Sequence, residues 1–151
     1  MILEFFRIKD NALIPQRANP SDAGLDVFAC LEENVLVEPN ESKLIPIGIK
    51  IGVPHGHMLQ VMNRSSVAAK RSLIVGAHVI DSGYNGEIFV NLHNIGSVRQ
   101  SISHGDKIAQ IVTIPVMPVR LFESLDDNLY EEPIMISNRG DGALGSTNDR
   151  K

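Results

Sequence analysis

The chain has a single cysteine, no long apolar run, no cluster of basic residues and little sustained helical periodicity, and each shortage narrows what it can be. Cys30 has no second cysteine to pair with, which excludes an internal disulfide. Without cysteine partners it is also a poor start for a zinc site, so the expected role is that of a small buried hydrophobe. No stretch approaches the ~20 apolar residues of a membrane-spanning helix. The apolar run in the opening MILEFFRIKD is too short for a secretory signal. An intracellular protein is therefore expected: cytoplasmic, or nuclear or inside a host cell in a eukaryotic or viral setting, and not secreted. Lysine and arginine number 14 against 18 acidic residues, a formal net charge of −4. A surface of that sign does not attract polyanions, so neither nucleic acid nor a membrane is an expected partner. An anionic ligand must be held by a local arrangement of donors.

What is present fits one domain. The chain has 151 residues, of which 43% are apolar, enough for a real core. The apolar residues fall in short runs: Leu25 to Leu31, Leu44 to Val53 (LIPIGIKIGV), Met58 to Met62, Glu87 to Leu92 and Ile108 to Val116. Glycine, proline, asparagine and serine separate them, the pattern of an all-β sandwich or barrel. A helix looks natural only over Ser65 to Arg71, where SSVAAKR offers a serine N-cap followed by helix formers. After Val119 the chain turns acidic and irregular through Glu131, then ends in NRGDGALGSTNDRK. The expected organisation is a β-rich catalytic core over 1–119, with an acidic linker and glycine-rich C-terminal arm over 120–151, a single domain overall.

Five features could carry chemistry. In the tail, Arg139 stands before glycines that free backbone N–H groups and before Ser146 and Thr147, a combination suited to phosphate oxygens. It lacks the GK[ST] ending of a Walker loop; a disordered terminus is the bland reading, but glycines alternating with an arginine, a serine and a threonine argue against a featureless linker. Asn63-Arg64-Ser65-Ser66 puts an arginine and two hydroxyls at the helix start, which suits an anion or a plain cap equally well. In GAHVIDSGYNGE, from Gly76 to Glu87, Asp81 closes an apolar strand over a turn that carries Tyr84. A plain hairpin is the default account of that turn, yet an acid so placed also suits a general base. His78, like His55, His57, His93 and His104, shows no metal-ligand spacing and is expected to be packed and hydrogen bonded. The remaining two are His104-Gly105-Asp106-Lys107-Ile108-Ala109-Gln110, a turn leading into a strand, and Ser21-Asp22-Ala23-Gly24-Leu25-Asp26. Asp26 lies in an apolar run and needs a partner, either an arginine or a hydrated metal.

Read in order, AGLD, NRSS, GAHVIDSGYNGE, HGDKIAQ and RGDGALGST resemble the five motifs of the trimeric dUTP diphosphatases (dUTPases), from Pro20 to Thr147. The resemblance implies an all-β, jelly-roll-like barrel or sandwich of the β-clip kind, with one short helix and an extended C-terminal arm. It implies a homotrimer with shared sites, in which the arm of one subunit closes a site formed largely by the others. Roughly twenty residues from Val119 to Arg139 span about 65 Å when extended. A domain of this size has a radius of gyration of about 14 Å, so such an arm can reach a neighbour. The implied reaction is Mg²⁺-dependent hydrolysis of dUTP to dUMP and diphosphate. Asp81 would activate the water that attacks the α-phosphorus, with Arg64 and Gln110 completing the catalytic set. Ser65 and Ser66 would join them on the phosphates. Tyr84 would pack on the deoxyribose and exclude a 2′-hydroxyl, the backbone near Gly76 would read the uracil edge as a hairpin, and Ile80 would be a further substrate-binding residue. Arg139, Leu144, Gly145, Ser146 and Thr147 would clamp the substrate when the arm orders. Asp26 would act on the metal indirectly, through water, because Mg²⁺ keeps its own water and the triphosphate would be its main ligand.

The chain departs from that pattern in places. Leu144 stands where most relatives carry a phenylalanine that stacks on uracil; leucine covers a base but does not stack, so weaker closure of the arm is expected. Ala143 and Asn148 replace usual glycines. Gly83 stands where an acid is common, and His78 where a small residue is common. With the double serine, these two lean towards the sister family of dCTP deaminases, which makes a deaminase or a bifunctional enzyme the alternative. The deaminase glutamate and arginine would fall at Asn91 and Ala69, and neither an amide nor a methyl can shuttle protons. A trimeric nucleotide-sensing regulator is the other alternative, and the presence of Asp81, Arg64 and Tyr84 speaks against a loss of catalysis.

Overall fold

The computed structural model describes residues 1–127 and 129. It divides into two units, Met1–Pro118 and Val119–Lys151. Among the described residues, the second unit, which holds 119–127 and 129, contains no helix or strand. Arg139, Leu144, Gly145, Ser146 and Thr147, expected to clamp the substrate, lie outside the described residues.

The first unit is nearly all β, as expected. In chain order it runs β1 (Phe5–Arg7), β2 (Leu25–Phe28), β3 (Val35–Val37), β4 (Ser42–Pro46), β5 (Ile49–Ile51) and β6 (His57–Met62). Then come the helix α1 (Ser65–Arg71), β7 (Leu73–Val75), β8 (Val79–Ile80), β9 (Phe89–Asn94), β10 (Gln100–Ile102) and β11 (Lys107–Pro115). The largest sheet has the order β2-β11-β6-β8, and a second has the order β4-β9-β7; β1 pairs with β5 and β10 with β3. Every strand pairing is antiparallel.

Side-chain alternation builds the core. In β9, Val90, Leu92 and Asn94 are buried while Phe89, Asn91 and His93 face outward, the period of two that a half-buried strand requires. In β11 the alternation breaks: Ile108 and Ala109 are both buried, because a bulge between Lys107 and Ala109 shifts the register against β2. The LIPIGIKIGV run is read by sequence as one apolar stretch, but it divides into β4 and β5 at Gly48, whose φ is +72°. A Cβ there would come 2.6 Å from Cys30 Sγ and 2.8 Å from Ala12 Cβ, so the turn needs both the backbone freedom and the space of glycine. Burial keeps its period of two through the break, with Ile45, Ile47, Ile49, Ile51 and Val53 all inside. Each such side chain contributes about 1.5–3 kcal/mol. Cys30 is buried among them, as its isolation in the sequence suggested.

The helix has the expected bounds but a different start. Arg64, not a serine, occupies the N-cap position with extended backbone (φ −85°, ψ 131°), and no side chain caps the helix. Ser65 and Ser66 are its first residues, and Ser72 ends it in the left-handed region at φ 52°.

Candidate active site

Among the described residues, those predicted from sequence fall in two places. The first lies across β2, β11 and β6, where Asp26 is paired with Gln110 and Gln110 with Met62, so these side chains share one face. Arg64 lies two residues past the end of β6 and donates from Nε to Asp26 Oδ1 at 2.7 Å. Lys107 Nζ stands 3.0 Å from Asp26 Oδ2, and the Asp26 side chain is only 11% exposed. An aspartate so deeply placed requires compensation, and of the two partners its sequence left open it takes the arginine. One carboxylate against two cations leaves this cluster with a local charge of +1 on an acidic chain.

Gln110 is fixed from two sides. Its Nε2 donates to the Asn63 carbonyl at 2.9 Å, and its Oε1 lies where a Cβ on Gly24 would come within 2.3 Å. Gly24 and Asp26 of the AGLD motif thus have separate tasks, one giving Gln110 room and the other holding Arg64. Asn63 in turn accepts the Val75 N–H at 2.7 Å, which ties the β6–α1 corner to β7. Ser65 and Ser66 are exposed beside it.

The second place is an open recess of about 410 Å³ lined by Asp81, Tyr84, Glu87, Ile80 and Phe89, among others. Asp81 follows β8 and is exposed, and its carboxylate has no partner among the described residues. Gly83, at φ +87°, turns the chain so that the Tyr84 N–H donates to the Asp81 carbonyl at 3.2 Å. The Tyr84 ring lies across Gly86, where a Cβ would come 2.4 Å from the phenol oxygen, and its hydroxyl donates to the Glu87 carbonyl at 2.7 Å. Ile80 is buried beside the recess, opposite Leu59. Gly76 follows β7, with its N–H donating to the Asn91 carbonyl at 2.9 Å.

The hairpin expected between Gly76 and Glu87 is not how the segment is built. β8 pairs with β6, whereas β7 and β9 belong to the other sheet, so both the 76–78 corner and the 82–86 turn cross between sheets. A two-residue strand such as β8 pairs where apolar side chains can be buried, and Ile80 finds that cover against Leu59 of β6. His78 is exposed rather than packed, and its Nδ1 lies 2.9 Å from the Val61 carbonyl.

Strand β6 keeps the two places apart. Its Leu59 pairs with Ile80, and antiparallel continuation brings Asp81 towards Met58, while Arg64 lies beyond Met62. The four steps from Met58 to Met62 alone cover ~13 Å.

Sequence reasoning missed two residues. Lys107 is the second cation on Asp26, and its signal is its place three residues before Gln110 in HGDKIAQ. Glu87 gives a carboxylate oxygen to the buried Gly48 N–H at 3.0 Å and its carbonyl to Tyr84, so it anchors the turn to the core. As for a metal, no group of three His, Cys, Asp or Glu side chains that could hold an ion occurs among the described residues. Asp26 has both oxygens against cations. An ion bound directly by protein carboxylates does not fit this donor set, while one carried by a triphosphate with its own waters does.

Comparison with known proteins places the chain in one family. The dUTPase family profile matches residues 10–147. Over 109 residues the chain is 40% identical to a deoxyuridine 5′-triphosphate nucleotidohydrolase from Desulfotalea psychrophila, covering 71% of this chain and 73% of that protein. It is 33% identical over 147 residues to the enzyme of the same name from Chlamydia trachomatis, covering 96% of this chain and 97% of the other. Among solved structures, a mutant dUTPase from phage phi11 of S. aureus, described with a structural Mg(II) ion, superposes with a TM-score of 0.78. It is 25% identical, and the match covers 87% of this chain and 100% of that one.

Proposed function

This chain belongs to the dUTPase family and hydrolyses dUTP, and we propose that it does so in a site that one subunit alone leaves incomplete. The observation that carries this reading is the separation along β6 of the Asp81 recess from the Arg64–Gln110 cluster. A triphosphate nucleotide must meet both, and a homotrimer lets one chain's recess face another chain's cluster.

In that site Asp81 is the general base. Its carboxylate is unengaged among the described residues and open to solvent, as a proton acceptor for water must be. The water oxygen forms a bond to the α-phosphorus as its proton passes to Asp81, the bridge from the α- to the β-phosphate breaks, and diphosphate leaves dUMP behind. Arg64, Ser65, Ser66 and Gln110 hold the phosphates. Arg64 presents its two terminal nitrogens because Asp26 occupies only Nε. Tyr84 packs against the deoxyribose, and Gly76 and Ile80 meet the base. Arg139, Leu144, Gly145, Ser146 and Thr147 close the site from the arm. Mg²⁺ would neutralise charge on the triphosphate, and a water-mediated contact from Asp26 would use the lone pairs that Arg64 and Lys107 leave.

Two measurements test the reading. Diphosphate release should be strong from dUTP and weak from dCTP and dTTP. Subunits carrying Asp81→Asn, refolded together with subunits carrying Arg64→Ala, should regain activity that neither has alone, because mixed assemblies contain sites with both wild-type residues. No recovery from well-mixed assemblies would place the whole site within one chain and overturn the sharing.

A further inference from the structure

The outward face of the β4-β9-β7 sheet carries a polar pair in a position of chemical interest. Asn91 and His93, both half-buried, stand two residues apart on β9 and therefore on the same face. His93 Nε2 lies 2.6 Å from Asn91 Oδ1. Both side chains press against Gly76: a Cβ there would come 2.1 Å from His93 Nε2 and 2.2 Å from Asn91 Oδ1. The Gly76 φ is unexceptional, so this glycine is required for the space it leaves rather than for its backbone angle. The Asn91 Nδ2 group has no partner among the described residues, although the side chain is partly covered.

We propose that Asn91 determines base specificity, donating from Nδ2 to the 4-carbonyl of uracil, and that His93 is a positioning residue that sets which end of the amide faces the base. The proposal rests on the reading that the backbone at Gly76 meets the base. A free asparagine amide is indifferent to the choice, since a half-turn lets it offer a donor to a 4-carbonyl or an acceptor to a 4-amino group. His93 removes that indifference. An imidazole with its proton on Nε2, the usual neutral tautomer, donates to Oδ1 and leaves Nδ2 pointing away, and the protonated ring does the same. Cytosine would then meet a donor with its own 4-amino donor, leaving two buried N–H groups facing each other without an acceptor.

The test compares kcat/KM for dUTP and dCTP. Asn91→Leu should lower the dUTP:dCTP ratio about tenfold, the worth of one such hydrogen bond. Asn91→Asp, which presents only acceptors, should lower it about a hundredfold by repelling the 4-carbonyl and accepting from the 4-amino group. His93→Phe keeps a ring but frees the amide, and should lower the ratio about tenfold through a rise for dCTP. A residue that served packing alone would change both substrates in parallel and leave the ratio unmoved, which would overturn the proposal. Should these variants fail to fold, ¹⁵N spectra of the wild-type protein with a non-hydrolysable dUTP analogue decide. Shifts of both the Gly76 amide and the Asn91 side-chain NH₂ support the proposal. A shift at Gly76 with Asn91 unmoved overturns it while the base reading stands; no shift at either removes both.

Discussion

Arg64 reaches Asp26 through Nε, 2.7 Å from Oδ1, while Lys107 holds the other carboxylate oxygen at 3.0 Å. The choice of nitrogen matters. A guanidinium held by Nε keeps the Nη1–Nη2 edge, a planar fork that matches two oxygens of one phosphate. The carboxylate acts as a handle, and in the proposed site the phosphates meet the far side of the arginine it grips.

Asp26→Asn should therefore raise KM for dUTP with a smaller change in kcat. A charged hydrogen bond of this kind contributes about 1.5–3 kcal/mol, so kcat/KM is expected to fall by roughly ten- to a hundredfold. Steady-state kinetics check this, and an unchanged KM would show that Arg64 holds its place without the handle.

Asp81→Asn removes the proposed base and keeps the shape. Turnover should fall by several orders of magnitude while dUTP binding, measured by calorimetry, stays within a few-fold. Near-normal turnover would mean that another group takes the proton.

Tyr84 is the proposed barrier to a ribose, held by its bond to the Glu87 carbonyl and by its seat on Gly86. Tyr84→Ala should raise kcat/KM for UTP relative to dUTP by about tenfold or more, whereas Tyr84→Phe, with the ring retained, should change the ratio only slightly. Equal ratios in all three proteins would remove the barrier role.

These expectations draw on sequence and structure unequally. The helix over Ser65–Arg71 was legible because good helix formers stand there between strand-like runs. Asp26 was legible as a residue in need of a partner, because a carboxylate inside LDVFA cannot stay bare. Its second cation was not, since Lys107 meets it only after β2 and β11 pair, and a bulge in β11 sets that meeting. Glu87 was hidden for the same reason: its partner, the Gly48 N–H, lies 39 residues away in the chain. The serine cap failed because local propensity was overruled by Arg64, which takes the cap position on its way to Asp26. The expected hairpin failed because a turn signal marks a reversal without saying which strands it joins.

Leu144→Phe concerns the arm. A phenyl ring can stack on uracil where leucine can only cover it, so the variant should lower KM for dUTP. A KM that is unchanged or higher would count against weak closure in the native chain.

Cys30 offers a check on the core. Burial pushes its thiol above the ordinary value of 9.0, with Glu87 and Glu32 adding to the effect and Lys9 opposing it. A raised thiol favours the folded state's neutral form, so its contribution to stability is intact below that ordinary value and is lost as the pH rises beyond it. At pH 8 a thiol reagent should leave the native protein untouched and titrate one group per chain after denaturation. Rapid reaction of the folded protein would contradict the packing around Gly48.

The length of β6 has a consequence for living cells. If the site is shared as proposed, a newly made chain is inert until it meets others, and output rises more steeply than in proportion to the amount of protein made. A cell carrying one intact gene copy and one with a defective Asp81 would build mixed assemblies. Each would then keep one working site for every chain in it that carries a sound Asp81, because the defective chains still supply Arg64.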